Sequence, residues 1–413
     1  MRRRTIFATA ATAAAAGTLL VACKDTKDDV AWSDPGSTAS PSGPPAADAP
    51  VLTIAPASGT SGVSPTEPVV VTAVNATLQT VTVRSGSKQV AGELDAEKKT
   101  WRSTAALAYG KSYEVKASGV GTSGTPVEQT ATFTTLKPSS TASVTFQANA
   151  MTAMKNGGTY GVGQVLIVKF SKAPSDRKAA LAAIAVTSAP AVEGRWYWVD
   201  NRTAHYRPEK FWAKGTKVTA KAHLVGVNLG KGVYGAENET MSITIGTSRI
   251  AIADDATHYM RVMVDGVQVK NMPISMGKDG YVVTADGDKV YFPTRSGTHV
   301  VMSRELEHRM SSASYGVTDP KDPNYYDEVI QLCCRISYSG EFVHSAPWSV
   351  WAQGKQNVSH GCINVAPSNA QWFYDNFKLG DPVIVKGTGR KQLIGDSAGA
   401  VWDVPWSSMI AVA

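Results

Sequence analysis

From Pro50 onward the chain alternates apolar and polar residues with a period of two, in short runs broken by Gly, Pro, Ser and Asp. That period places alternate side chains on opposite faces, the mark of half-buried β-strands. In residues 50–137 the clearest runs are Val69–Val74, Leu78–Val83, Ser112–Val115 and Gln129–Thr134, whose spacing predicts a small β-sandwich. Lys137–Thr141 reads as a boundary. Residues 142–247 repeat the pattern in Gln164–Phe170, Arg195–Val199, Lys217–Ala222 and Ser242–Gly246, predicting a second sandwich. Trp196 and Trp198 share one strand face and are assigned to its core rather than to a sugar-stacking platform. His205 and His223 stand alone and read as packing or surface residues.

At about Ser248 the pattern changes. Tyr259–Val264 and Val267–Lys270 flank Asp265-Gly266, a strong hairpin turn pair. Thr298–Met302 reads as a strand carrying a structural His299. The polar, aromatic stretch Met310–Asp327 reads as a long loop or β-hairpin suited to a lid. Ser368–Phe377 has helical spacing with Ser368 as N-cap, and Val383–Lys386 closes the unit. Residues 387–413 form a short C-terminal extension whose Trp402 and Trp406 are expected to pack back on the protein. The fold class is therefore mainly β: two immunoglobulin-like sandwiches followed by a β-rich domain over residues 248–386.

The first 49 residues do not fit the period-two pattern. Arg2, Arg3 and Arg4 precede an Ala-rich apolar run from Thr5 to Val21, a secretory signal over residues 1–22. Leu20-Val21-Ala22-Cys23 resembles a bacterial lipobox, which implies a lipid on Cys23 and anchoring to the outer face of the cytoplasmic membrane. Residues 23–49 are rich in Ser, Pro, Gly, Ala and Asp and read as a flexible tether. Removing residues 1–22 takes away three arginines, so the formal charge falls from +7 to +4. A modest positive balance suits anionic wall polymers and lipids. No basic block or aromatic ladder supports nucleic-acid binding, and no second apolar run is long enough to span a bilayer.

The candidate chemistry lies in His344–Asn364, HSAPWSVWAQGKQNVSHGCIN. His344 ends a β-like run, and Cys362 follows a glycine, whose missing Cβ lets backbone amides turn toward a ligand. A thiol within reach of an imidazole is the minimum equipment for cysteine nucleophilic catalysis. Three other readings compete. Cys362 could be a small buried hydrophobe. His344, His360 and Cys362 could ligate zinc, but there is no fourth ligand or Cys-x-x-Cys, so no metal is expected. A disulfide to Cys333 or Cys334 would disable the nucleophile. These two neighbours point to opposite strand faces, so at most one can face Cys362, and both are expected to be buried and apolar in role.

The order of these residues resembles the L,D-transpeptidase signature: His, a gap of about fourteen to seventeen residues, Ser/Thr-His-Gly-Cys, one residue, Asn. Here residues 345–358 separate His344 from Ser359, and Cys362-Ile363-Asn364 completes it. NlpC/P60-type peptidases reverse the order of Cys and His. Sortases require a Thr-Leu-x-Thr-Cys strand, which is absent. Pro273–Lys278 and Pro293–Thr298 resemble the family's S-x-G and T-P-x-G segments, although the second reads Thr-Arg-Ser-Gly. The two sandwiches match the mycobacterial-type architecture, as spacers that position the enzyme.

The resemblance implies a cofactor-free acyltransferase acting on peptidoglycan. His344 and Cys362 exchange a proton to give thiolate and imidazolium, the thiolate attacks the third residue of a donor tetrapeptide stem, and terminal D-Ala leaves with a proton from His344. An amine of an acceptor stem then resolves the thioester into a 3→3 cross-link. A carbonyl near Ser345 orients His344, and amides around His360, Gly361 and Cys362 hold the oxyanion. Ser359 shapes the pocket and Asn364 holds the loop or substrate. Tyr326, Ser339-Gly340 and, more weakly, Tyr315 and Met310 fall at substrate contacts, with edge packing the competing reading for the tyrosines. Carbapenems would acylate the same thiol. An L,D-carboxypeptidase using water, or a non-catalytic wall-binding lipoprotein, are the alternatives.

Overall fold

The computed structural model describes residues 49–284 and 287–411; the leader, Cys23 and nearly all of the tether lie outside them. The first sandwich packs a sheet of Val51–Ala55, Val70–Val74, Thr100–Ser103 and Gly92–Leu94 against one of Lys88–Gln89, Ala76–Ser85, Ser112–Gly121 and Pro126–Thr134. Inward positions Val71, Leu78, Val115 and Phe133 form its core, as the alternation predicts. Three strands run longer than expected, because Ala117, Gly119 and Gly121 extend the ladder where β-propensity is weak. A Cβ on Gly119 would lie 2.6 Å from the Thr77 carbonyl oxygen, so the close strand approach requires glycine.

The second sandwich stacks five- and four-stranded sheets, with Trp196 in its core as expected and Trp198, half-buried, packed against that core. His205 is buried and His223 exposed. The sandwich begins earlier than the sequence suggests: Ser140–Ala142 pairs in parallel with Val233–Gly235, so the boundary falls before Ser140.

The third domain is a nine-stranded mixed sheet. Its order is Gly297–Val300, Pro382–Lys386, Arg249–Asp254, Tyr259–Val264, Val267–Ser275, Ile363–Val365, Phe342–Ser345, Asp327–Arg335, Ser303–Ser311. The predicted hairpin turn is present, with Asp265 and Gly266 both at positive φ as a two-residue primed turn requires. Met310–Asp327 is the distal part of a hairpin: Ser311 pairs with Asp327, and a 3-10 turn Ser312–Tyr315 opens the loop. The helix runs Pro367–Asn376 and covers the sheet through Phe373 and the following Phe377. Its N-cap is Ala366, without a side-chain cap, and not Ser368. Pro367 takes the first helical position, where its fixed φ and missing N–H cost nothing.

The C-terminal extension fills the seam between second sandwich and third domain. Val401, Val404 and Met409 join Val165 and Ile167 of the sandwich and Val300 and Met302 of the domain in one apolar cluster. Arg207 donates to the carbonyls of Val401 (2.9 Å) and Val404 (2.6 Å) and lies over Trp402, while Arg195 lies over Trp406. The expected docking of both tryptophans is thus present.

Candidate active site

Two parallel strands set the geometry. Phe342–Ser345 pairs with Ile363–Val365 so that His344 lies opposite Asn364. Cys362, two residues before Asn364, faces the same side. Both side chains line a cavity of about 620 Å³. His344 Nδ1 is 2.9 Å from the Ser345 carbonyl oxygen, which fixes the hydrogen on Nδ1 and leaves Nε2 as the acceptor. Trp348 stacks beside the imidazole at 6.1 Å between centroids. The Cys362 thiol donates to the Gly340 carbonyl at 3.6 Å, within the longer limit for sulfur.

Burial holds both groups neutral. It pushes the Cys362 thiol up to about 12, and it pulls His344 down to about 4 despite the Ser345 carbonyl, which favours the charged ring. The resting pair is therefore thiol and imidazole, not the thiolate–imidazolium pair with which the expected mechanism begins. Deprotonation has to accompany attack, with Nε2 as general base.

The loop before Cys362 is held from three sides. Ser359 donates to the Cys362 carbonyl (2.6 Å) and accepts from the Gly361 amide (3.1 Å). Its hydroxyl is thus committed to the turn, although Ser359 also lines the cavity. Gly361 sits at φ 138°, a region side chains avoid, and with its amide engaged, those of His360 and Cys362 remain the candidate oxyanion donors. Thr294, fully buried, accepts from Gly277 N (3.0 Å) and donates to the Gly361 carbonyl (2.8 Å). The two glycine-containing segments singled out in the sequence therefore buttress the nucleophile loop. Asn364 donates to Ser349 Oγ at 3.0 Å, a loop-holding role.

The lid supplies the opposite wall. Tyr326 lies 5.2 Å from the His360 ring, which meets Phe292 edge-on at 4.9 Å. His360 Nε2 is buried without a partner, and burial with nearby Lys278 pulls the ring down to about 4. Tyr315 packs on Tyr326 at 6.2 Å, and Met310 and Cys362 both pack against the cluster of Ile330, Cys333 and Phe342. Burial raises both phenols, so they stay protonated and able to donate. Met310, Tyr315, Tyr326, Ser339, Gly340, His360 and Asn364 all line the cavity with the thiol. Ser345 enters only through its carbonyl.

Cys333 and Cys334 are free and buried, and both thiols are pushed up to about 12 by burial. Cys333 packs near Cys362, while Cys334 faces the domain core. The strand Phe342–Ser345 separates them from Cys362, a gap of about 9–10 Å at two inter-strand spacings. That exceeds disulfide reach. Among the described residues no cluster of His, Cys, Asp or Glu could hold a metal.

Sequence reasoning missed Thr294, Phe292, Trp348 and Asp396 as individual contributors. Thr294 and Trp348 lay inside quoted segments, but nothing in their residue type marks a hydrogen bond or a ring contact made across the fold. No signal pointed to Asp396 of the C-terminal extension, whose carboxylate accepts from Ser339 N and Oγ at the edge of the cavity.

A half-buried thiol and an oriented imidazole that line one lidded cavity can carry out acyl transfer through a cysteine. Residues 248–385 match the L,D-transpeptidase catalytic domain, and residues 60–228 match the bacterial Ig domain, spanning most of both sandwiches. L,D-transpeptidase 2 of Mycobacterium tuberculosis (strain CDC 1551 / Oshkosh) is 41% identical over 358 residues, 86% of this chain and 83% of its own. L,D-transpeptidase 5 of Mycobacterium tuberculosis (strain H37Rv) is 31% identical over 88% of this chain and 77% of its own. A solved structure of the LD transpeptidase LdtMt1 in complex with imipenem covers 56% of this chain and 95% of its own, at 31% identity and TM-score 0.47. The chain belongs to the L,D-transpeptidase family, acyltransferases of peptidoglycan.

Proposed function

We propose that the chain forms 3→3 cross-links between peptidoglycan stems through a thioester on Cys362. The observation that carries this is the shared cavity face of Cys362 and His344, with Nδ1 tied to the Ser345 carbonyl. As Sγ attacks the carbonyl carbon of the third stem residue, its proton passes to Nε2 of His344. The His360 and Cys362 amides stabilise the oxyanion. Collapse of the tetrahedral intermediate breaks the bond to terminal D-Ala, whose nitrogen leaves with the proton from Nε2. The side-chain amine of an acceptor stem then gives its proton to the same nitrogen, attacks the thioester and regenerates the thiol. The lid that brings Tyr326 into the cavity of the half-buried thiol favours an amine over water as acceptor, because excluding water protects a thioester. We further infer that a carbapenem acylates Cys362, since its strained carbonyl presents the same electrophile to the same thiol. The lipobox-like Cys23 supports a lipid anchor that holds the enzyme at the outer face of the cytoplasmic membrane, facing the wall.

Intact mass of the reduced soluble fragment, from Ala49 onward, tests this with a carbapenem and separately with a disaccharide-tetrapeptide. The expected results are an adduct on Cys362, absent from Cys362→Ala, and a cross-linked dimer. Loss of D-Ala without dimer would instead establish the L,D-carboxypeptidase reading. No adduct and no turnover would reject the nucleophile.

A further inference from the structure

The Ser339–Gly340 turn touches the thiol, yet its anchor lies outside the 248–385 catalytic match, on the C-terminal extension. Asp396 Oδ1 accepts from Ser339 N at 2.9 Å and Oδ2 from Ser339 Oγ at 2.8 Å. The backbone carbonyl of Asp396 accepts from Tyr338 N at 2.6 Å. Arg295 Nε lies 3.1 Å from Oδ2, an ion pair by distance although its N–H is not aimed at the oxygen; both side chains are under 15% exposed, at 14% and 13%. On the other side of the turn, Ser337 Oγ contacts Ser339 Oγ at 3.1 Å and accepts from Glu341 N at 2.9 Å. Gly340 itself is at φ 102°, so the direction of its carbonyl depends on how the turn is clamped. That carbonyl holds the Cys362 thiol hydrogen.

We propose that Asp396 is a positioning residue for the transfer reaction, clamping the Ser339–Gly340 turn so that the Gly340 carbonyl keeps Cys362 protonated and aligned until a donor stem enters. The inference rests on Cys362 as nucleophile. The hydrogen bond from Sγ–H to a carbonyl exists only for the neutral thiol, so it disfavours premature thiolate. It also orients the sulfur in the cavity, and alignment of the attacking atom is where rate is lost when a support loosens. Release of the clamp should then have opposite effects on two reactions of one atom. Alkylation by a small reagent, which needs only thiolate, should speed up. Acyl transfer from a stem, which needs an aligned sulfur, should slow down.

The test compares wild type, Asp396→Ala, Asp396→Asn and Cys362→Ala in the soluble chain from Ala49 onward. Iodoacetamide alkylation of Cys362 is followed by mass from pH 6 to 10, together with kcat for stem transfer. For Asp396→Ala we expect alkylation at pH 8 to rise severalfold, its pH profile to shift to lower pH, and kcat to fall about tenfold. Asp396→Asn retains an acceptor oxygen for Ser339 N and should fall between. If Asp396→Ala does not fold, the Asn variant decides by the same two readouts. Unchanged alkylation and transfer, or a parallel loss of both, would overturn the proposal. Transfer that survives in Cys362→Ala would instead overturn the nucleophile assignment.

Discussion

Thr294 holds the nucleophile loop to the rest of the domain by one hydroxyl, and its chemistry predicts a sharp phenotype. Thr294→Val keeps the shape but leaves the Gly277 amide and the Gly361 carbonyl unpaired in a dry site. An unsatisfied buried polar group costs about 1–3 kcal/mol, so the variant should lose stability on that scale. Transfer should also drop about tenfold as the loop shifts. Thr294→Ser should restore most of both, and a urea midpoint with a stem-transfer rate checks it; a Val variant equal to wild type in both would refute the argument. The next residue shows how a departure from the family segment is absorbed. Where that segment has proline, Arg295 offers an N–H, and it donates to Glu341 Oε1 at 2.9 Å, a bond that proline could not make. The substitution therefore ties the segment to the residue just before the strand that carries His344.

At the scale of elements, the lid is built around Ser312. Its buried hydroxyl donates to the Val317 carbonyl (2.8 Å) and accepts from Tyr326 N (3.1 Å), while its own amide donates to the Tyr326 carbonyl (2.9 Å). Lys278 reaches Asn324 at 3.1 Å and lies over the Phe292 ring, pinning the lid to the opposite wall. Ser312→Ala should loosen Tyr326, raising KM for the donor stem severalfold while Cys362 alkylation by a small reagent stays equal or rises. An unchanged KM would show that the loop does not shape donor binding. The lid also marks how far the sequence could be read. Its position between two β segments followed from residue types and spacing, which are local properties, whereas its tyrosines were placed at the site by the family resemblance. The serine staple, the Thr294 tie and the Asp396 clamp join residues about 14, 67 and 57 positions apart, and no local pattern encodes a pairing that only the folded sheet brings together. The helix cap failed for a different reason: Pro367 and Ser368 both signal a helix start, and the proline won the first position.

At the scale of the molecule, three histidines and one aspartate set the dependence of stability on pH. His205 in the second sandwich, and His344 and His360 in the catalytic domain, are each pulled down to about 4 by burial from an ordinary 6.5. Between those values the unfolded chain takes up protons that the folded chain refuses, so each histidine removes stability as pH falls. Asp381 at the seam with the second sandwich acts in the opposite sense. Burial pushes it up to about 7 from 3.8, so the folded chain holds a proton that the unfolded chain has released, and its contribution grows as pH falls. Three histidine protons less one aspartate proton leave about two net protons between pH 4 and 6.5. By linkage these four groups alone give about 3 kcal/mol of stability lost per unit of acidification, and carboxylates held low by their partners, such as Asp200 and Glu305, add to the loss toward pH 4. Melting temperature should therefore decline steadily below pH 6.5. His205→Phe is buried far from the thiol and should flatten the slope by about one proton without changing transfer at pH 7.5. Differential scanning calorimetry across pH 4.5 to 7.5 measures it. A melting temperature that rises on acidification, or a slope unmoved in His205→Phe, would mean that these rings are charged in the folded protein and that burial does not govern its acid limit.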